Sequence, residues 1–426
     1  MAQKKKGMLM KVLVLGQGGR EHALVKAFRH SASVTEIHAI PGSDGMSQEA
    51  ICHSINLKNP EAIIQFCLRT EIDFVFIGPE DPLVAGLADD LRSRGILVVG
   101  PSQEAAMLEG SKIFSKRFMS EAQVPTADFE EVSTVADTMK AATRFTPPYI
   151  LKADGLAAGK GVFICHTLSE LENSARQIFE EHSLGDAGKK ALLEENLPGW
   201  ELSYLVLTDG INFQALPLAQ DHKRLKDLHQ GPNTGGMGTV APLKIDPALD
   251  QQIREKIIAP TIKTIRSRGY TYRGIIFVGV MVTANGPQTL EYNVRLGDPE
   301  TQVILPLIEN DLGDLFLNLA KGILKPIQLK NLFATCVILA AENYPEKPIK
   351  GAPIEGEISY ETASSYFIHA GTMKSDQGQW QTNGGRVLGA VGLGSSSQEA
   401  IENAYSQAKK VKWQGLQIRK DIGRYL

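Results

Sequence analysis

Lys11-Val12-Leu13-Val14-Leu15-Gly16-Gln17-Gly18-Gly19-Arg20-Glu21 is an apolar run that stops at glycines and passes directly into a helical pattern over residues 21–30. The unit recurs, because residues 36–40, 73–77 and 96–99 are further short apolar runs separated by helical patterns. Strands alternating with helices read as a parallel α/β sheet. The loops beyond the C-terminal ends of such strands form the ligand crevice. Gly16 to Glu21, Pro41-Gly42-Ser43 and Gly78-Pro79-Glu80-Asp81-Pro82 all fall there, so the three are expected to line one edge.

The first of these segments does not read as a nicotinamide site. Glu21 stands where the third glycine of G-x-G-x-x-G belongs, and no acidic residue ends the second strand to hold a ribose hydroxyl. A strand followed by Gly18-Gly19 and a helix start still offers backbone N–H groups and a positive dipole end to a phosphate. Arg20 adds a charge-assisted contact. The plain alternative is a tight turn that serves folding alone.

Residues 149–164 read as two strands joined by Asp154-Gly155-Leu156-Ala157-Ala158-Gly159-Lys160-Gly161. Gly161 follows Lys160 where a Walker loop has Ser or Thr, and a strand rather than a helix comes next, so a hairpin lid over phosphates is expected. Small residues let backbone N–H groups reach phosphate oxygens, and Lys152 supplies a point charge at the end of the first strand. Residues 191–203 read as strand, bend and strand, with acids that could meet the polar edge of a nucleoside, although such acids are more often only solvated. Gln220-Asp221-His222-Lys223-Arg224 and Gly231-Pro232-Asn233-Thr234-Gly235-Gly236-Met237-Gly238 read as parts of one long loop that closes on a substrate.

Leu290-Glu291-Tyr292-Asn293-Val294-Arg295 is the most informative strand. Alternation places Glu291, Asn293 and Arg295 on one face and the apolar residues on the other. A carboxylate and an amide carbonyl are hard oxygen ligands, which suit Mg²⁺ held mainly through nucleotide phosphates. Arg295 can then steady the charge that develops in phosphoryl transfer. A half-exposed strand with a surface ion pair is the competing reading. Asp298 is expected as the N-cap of the helix that follows, ahead of Pro299.

With 426 residues the chain exceeds what one core usually organises. A net charge of −3 argues against a nucleic-acid partner. No apolar run approaches the ~20 residues of a membrane span, and the start around Lys4-Lys5-Lys6 is expected to be a solvated tail rather than a signal segment. Cys52, Cys67, Cys165 and Cys336 are scattered, without zinc or disulfide spacing, which fits a reducing cytosol. The nine histidines show no H-x-x-x-H or H-x-H pair, and there is no G-x-S-x-G elbow.

Taken in order, seven segments resemble those of the phosphoribosylamine–glycine ligase (glycinamide ribonucleotide synthetase) family of the ATP-grasp superfamily. They are Gly18 to Leu24, Gly78 to Gly86, Leu108-Glu109-Gly110-Ser111-Lys112, Lys152 to Gly161, Gln220 to Arg224, Gly231 to Gly238 and Arg295 to Thr301. The resemblance implies an N-terminal parallel α/β domain over residues 1–110 and an ATP-grasp domain over 111–325, with a mobile lid at about 127–197. A small α+β domain over 326–426 would complete the chain. It implies that ATP phosphorylates glycine and that the amine of 5-phosphoribosylamine attacks the glycyl phosphate. Glycinamide ribonucleotide, ADP and phosphate would result, in purine biosynthesis.

Carried over by motif, Lys112 and Lys152 would touch ATP phosphates. Asp154, Gly155, Gly159, Lys160 and Gly161 would cover them, and Glu194, Leu197 and Glu201 would frame adenine and ribose. Glu291 and Asn293 would hold Mg²⁺ or Mn²⁺. Phosphoribosylamine would lie against Gly18, Gly19, Arg20 and Glu21, with Asp221, Lys223, Arg295 and Arg386 closing around the substrates. Arg295, Lys152 and Asp221 would act in catalysis. A cytoplasmic monomer is implied. The chain departs from the family pattern at Ser43, at Asn196 and over Leu225-Lys226-Asp227-Leu228-His229-Gln230, where the family tends towards Asp and Gly. The nearest alternatives are another ATP-grasp ligase or carboxylase, which would lack the Gly-Gly-Arg-Glu-His and Gln-Asp-His-Lys-Arg blocks, and a nucleotide-binding regulatory protein without turnover.

Overall fold

The structure, a computed structural model, describes residues 9–156 and 161–424. The strand Met10–Gly16 runs parallel to Val34–Pro41 on one side and to Phe74–Ile77 on the other, and Val98–Pro101 extends the same sheet. Leu13 and Val14, which point to opposite faces, are both fully buried, as expected of a parallel strand covered on both sides. Helix Gly19–Arg29 begins beside the Gly18 N–H, which donates to Glu21 Oε2 at 2.7 Å. Glu21, at the position of the missing third glycine, therefore closes the helix start. A side chain at Gly16 or Gly78 would collide with Glu21, and Gly16 also holds φ +124°.

This sheet does not stop near residue 110. Tyr272 and Arg273 pair antiparallel with Pro101 and Gly100, so that Tyr272–Thr283, Trp200–Thr208 and Gly286–Asn293 continue it into a nine-stranded sheet. The cores run across the same line. Val12 and Phe74 pack in one cluster with Ile275, Leu296 and Ile338, and Leu13 and Val75 pack in another with Tyr204 and Tyr292.

The lid is built differently. Phe129–Val132, Ala191–Glu194, Tyr149–Ala153 and Val162–Cys165 form, in that order, a separate antiparallel sheet. Its core, with Leu151, Leu171, Ile178 and Leu193, is its own. The two stems of the lid meet, because the Glu195 N–H donates to Asp128 O at 3.1 Å and the Asp128 N–H to Glu195 Oε1 at 3.0 Å. Residues 191–203 are strand, bend and strand as expected, but the two strands belong to different sheets.

A third sheet takes the order Gln220–Asp221, Gly238–Ala241, Phe333–Ala340, Arg386–Gly394 and Ser365–His369. Two of its strands come from the stretch read as one long loop. Between them Arg224–Lys226 and Gln230–Asn233 form a hairpin, whose turn places Leu228 and His229 at φ 57° and 55°. Strands of two to four residues carry too little alternation to be seen in sequence. Asp298 is not the N-cap of helix Glu300–Ile304, where Pro299 holds that position. Its carboxylate instead accepts the Arg20 N–H at 3.3 Å and Gln302 Nε2 at 2.8 Å and pairs with Arg386. Among the described residues no helix is long and apolar enough to cross a membrane.

Candidate active site

The strand bearing Glu291 pairs with Tyr272–Thr283 through a register shift that leaves Leu290 as the extra residue. Such a bulge re-aims the side chains after it. Tyr292 and Val294 are buried at 2% and 1% exposure, which leaves Glu291 and Asn293 on the opposite, open face. Burial pushes the Glu291 carboxyl up, but Lys223, Lys152, Lys112 and Arg295 outweigh it and hold it below the usual carboxylate range. Asn293 Oδ1 accepts a hydrogen bond from Arg295 Nη2 at 3.1 Å. An ionised carboxylate and an amide oxygen with a second lone pair free form a donor set that fits a hard divalent cation.

The lysines whose charge acts on Glu291 come from separate elements. Lys152 is the penultimate residue of the lid strand Tyr149–Ala153, and its Nζ lies 2.9 Å from Glu194 Oε2. Lys112 opens helix Lys112–Ala122 and donates to Gly155 O at 3.1 Å. Asp154 accepts from Ser111 Oγ at 2.9 Å and from the Ile113 N–H at 3.1 Å, so the base of the glycine-rich turn is fastened to this helix start. Gly155 takes φ +105°, and Gly161 accepts the Ala153 N–H at 2.8 Å. Gly159 and Lys160 lie outside the described residues.

Glu194 is buried at 2%, turned to Lys152 and to Lys116, whose Nζ is 3.3 Å away. Lys116 was not picked out from the sequence. It sits four residues after Lys112 on the same helix, a spacing that puts both on one face. Burial pushes its ammonium down to about 8 despite Glu194. Leu197 is half-buried in the stem leaving the lid, and Glu201, second residue of the strand Trp200–Thr208, forms an ion pair with Lys223.

The first glycine loop is held from within. Arg20 is 8% exposed, and its Nε lies 2.6 Å from Glu21 Oε1 while Nη1 donates to Leu296 O at 3.1 Å. Its guanidinium therefore braces the loop, and Gly18 and Gly19 present backbone. Arg386 donates to Asp298 O at 2.7 Å and to Gly235 O. Asp221 meets no hydrogen-bond donor at its buried Oδ1. Burial and the neighbouring Glu300 push its carboxyl well up, against Lys223 and Arg386. Burial likewise raises Glu300, although Ser203 Oγ donates to it at 3.0 Å.

Arg295 is the most committed member. Its Nε meets Glu80 Oε2 at 3.2 Å and its Nη2 meets Glu109 Oε1 at 2.7 Å. Glu80, Glu109 and Glu300 each lie inside segments that resemble the family, yet nothing in local pattern separates an acid that holds an arginine from one that is solvated. Ion pairs and hydrogen bonds thus link Lys116, Lys152 and Glu194 into one cluster, and Arg20, Glu21, Glu80 and Arg295 into a second, while Lys112 is held at the base of the glycine-rich turn and Asp298 joins Arg386 to the first glycine loop.

Profiles of the phosphoribosylglycinamide synthetase family match three consecutive stretches: its N domain over residues 10–109, its ATP-grasp (A) domain over 110–301 and its C domain over 334–425. A phosphoribosylamine–glycine ligase of Caldanaerobacter subterraneus is 40% identical over 416 residues, covering 97% of this chain and 99% of its own length. The crystal structure of a phosphoribosylamine–glycine ligase from Thermotoga maritima is similar at TM-score 0.85 and 36% identity, over 97% of this chain and 100% of that one. The biotin carboxylase domain of Hydrogenobacter thermophilus 2-oxoglutarate carboxylase, solved with MgADP and bicarbonate, shares the fold alone. It has TM-score 0.73 and 20% identity, over 96% and 92% of the two chains. With three domain profiles in order and full-length relatives at this identity, the chain belongs to the phosphoribosylglycinamide synthetase family.

Proposed function

We propose that the cleft around Glu291 carries out the ATP-dependent ligation of glycine to 5-phosphoribosylamine through a glycyl phosphate, with release of ADP and phosphate. The chain is an ADP-forming carbon–nitrogen ligase of purine biosynthesis. The observation that carries the assignment of this site is the convergence on one carboxylate of basic side chains from the lid, the helix at Lys112, the short strands near Lys223 and Arg295. A surface ion pair needs one partner at contact distance; four positive charges standing around Glu291, each bonded to another group, suit a site that must neutralise a polyphosphate and a metal together.

In this reading Glu291 and Asn293 hold Mg²⁺, or Mn²⁺ in its place, and the ion supplies charge neutralisation at the ATP phosphates. Lys112 and Lys152 bind phosphate oxygens, and the turn from Asp154 to Gly161 covers them. Arg295 faces the transferred phosphoryl group, and Asp221 and Lys223 orient the two substrates. Gly19 offers its backbone N–H to the sugar phosphate, and Gly18, whose own N–H is held by Glu21, lets the phosphate lie close against the loop. Acyl phosphate formation asks for positioning and charge neutralisation, so no nucleophilic side chain is needed. The lid over 127–197 belongs to the same proposal, supported by its separate core, as does the division into domains at 110 and 325. So do a monomeric state and a cytoplasmic location, the second supported by four unpaired cysteines.

The test is mass-spectrometric identification of product from ATP, glycine, ribose 5-phosphate and ammonia, the last two generating the unstable amine in place. Glycinamide ribonucleotide is expected, with ADP release that needs both glycine and the amine source. ADP release independent of both would overturn the reading.

A further inference from the structure

Glu109 is the penultimate residue of helix Gln103–Gly110, and both its oxygens are committed to the residues that directly follow the strand carrying Glu291 and Asn293. Oε1 lies 2.7 Å from Arg295 Nη2, and Oε2 accepts the Val294 N–H at 2.7 Å. The second hydrogen of the same Nη2 goes to Asn293 Oδ1 at 3.1 Å. Elsewhere on the guanidinium, Nε meets Glu80 Oε2 at 3.2 Å, and Nη1 donates to Leu296 O at 3.2 Å. The side chains of Glu109 and Arg295 are only 7% and 16% exposed, so water screens this set weakly.

A cation bound at Asn293 Oδ1 would share that oxygen with a guanidinium, and in a weakly screened site the two positive charges repel. Two carboxylates on Arg295 offset the repulsion. Against the upward push of burial, Arg295 holds Glu80 below the usual carboxylate range; at Glu109 burial prevails and pushes the carboxyl up to about 7 despite Arg295. We infer that Glu109 is a positioning residue for the metal site: it fixes the main chain at Val294, aims Arg295 at the Asn293 amide and, with Glu80, offsets the Arg295 charge beside a divalent cation. The inference rests on reading Glu291 and Asn293 as the metal ligands.

Glu109→Gln isolates the charge, because the amide oxygen can still accept the Val294 N–H while the NH₂ group cannot pair with Arg295. The measurement is Mn²⁺ binding in the presence of ADP, followed by loss of the free Mn²⁺ electron paramagnetic resonance signal, with ADP affinity measured separately without metal. Glu109→Gln is expected to weaken Mn²⁺ binding at least fivefold with metal-free ADP affinity unchanged, and Glu109→Asp to recover part of the loss. A folded Glu109→Gln protein with wild-type Mn²⁺ affinity overturns the inference. If that variant does not fold, Glu80→Gln tests the same charge balance from the other edge of Arg295, with a loss of the same direction expected and an unchanged affinity again overturning it. Wild-type protein that bound no Mn²⁺ with ADP would instead sink the ligand assignment itself, a separate result.

Discussion

Lys152 and Glu194 form a buried ion pair, 2.9 Å from Nζ to Oε2, that ties the strand entering the glycine-rich turn to the strand that leaves the lid. Lys116 reaches the same oxygen from outside the lid, so one carboxylate serves two buried ammonium groups. Removing one member of a buried pair leaves an uncompensated charge at a cost of about 3–5 kcal/mol. Glu194→Ala is expected to lower the melting temperature and raise KM for ATP. An unchanged melting curve would show that the two lysines need no shared partner.

Glu291→Ala is expected to lower metal-dependent turnover more than about tenfold while leaving the fold intact, since it removes one oxygen ligand and no packing. The check is ADP release across a Mg²⁺ titration at saturating substrates. Superimposable titrations of variant and wild type would remove Glu291 from the metal site.

For Arg20→Ala, a raised KM for the phosphoribosylamine source is expected with KM for ATP unaltered. The buried bonds of Arg20 to Glu21 and Leu296 add a second expectation, a loss of stability, because each leaves a partner unsatisfied. Steady-state kinetics with each substrate varied in turn makes the check, and a changed KM for ATP alone would move the sugar-phosphate site elsewhere.

Burial, with Lys26 nearby, lowers His22 to about 3, and burial with His22 nearby lowers His369 to about 3. His22 Nδ1 accepts the His369 N–H at 2.8 Å, so the ring is neutral in the fold. The unfolded chain, near 6.5, takes up protons first as pH falls, so the stability carried by these neutral rings is complete above about 6.5 and is lost progressively towards 3. At about pH 5 each ring accounts for a loss of about 2 kcal/mol. Chemical denaturation at about pH 7 and about pH 5 is expected to show the drop, and His369→Gln to reduce it. A variant with the full wild-type drop would contradict this.

Leu228 holds φ 57° and is 60% exposed, so its side chain gains little and its backbone is strained. Leu228→Gly is expected to raise stability by about 1 kcal/mol, read as a higher denaturation midpoint. An unchanged or lower midpoint would mean that the turn is already relaxed.

Much of this was legible in the sequence where a signal is local. The runs around Val14 and Val75 announced a parallel sheet because both faces are buried, and Gly155 with Lys152 announced a hairpin because glycine and charge sit at fixed offsets. The continuation of the first sheet through the Pro101–Tyr272 pair was not legible, since those partners lie far apart in the chain and only packing joins them. The same holds for the site. Glu291 and Asn293 follow from alternation within one strand, whereas Glu80 and Glu109 are identified only by the arginine that the fold delivers to them. Asp298 misled because an acid before proline at a helix start is a strong local signal, and a tertiary partner, Arg386, outbid it.

The meeting of Asp128 and Glu195 has a consequence for how the molecule can change over time. A segment whose two ends touch, and whose apolar side chains are satisfied among themselves, is an insert that the host chain accommodates without reaching across a gap. It can be lengthened, exchanged or unfolded while both large cores stay closed. A break at residue 110 has no such tolerance, because it would cut a sheet between hydrogen-bonded neighbours. Along the sequence the two divisions look alike, but one is a joint and the other is only a seam.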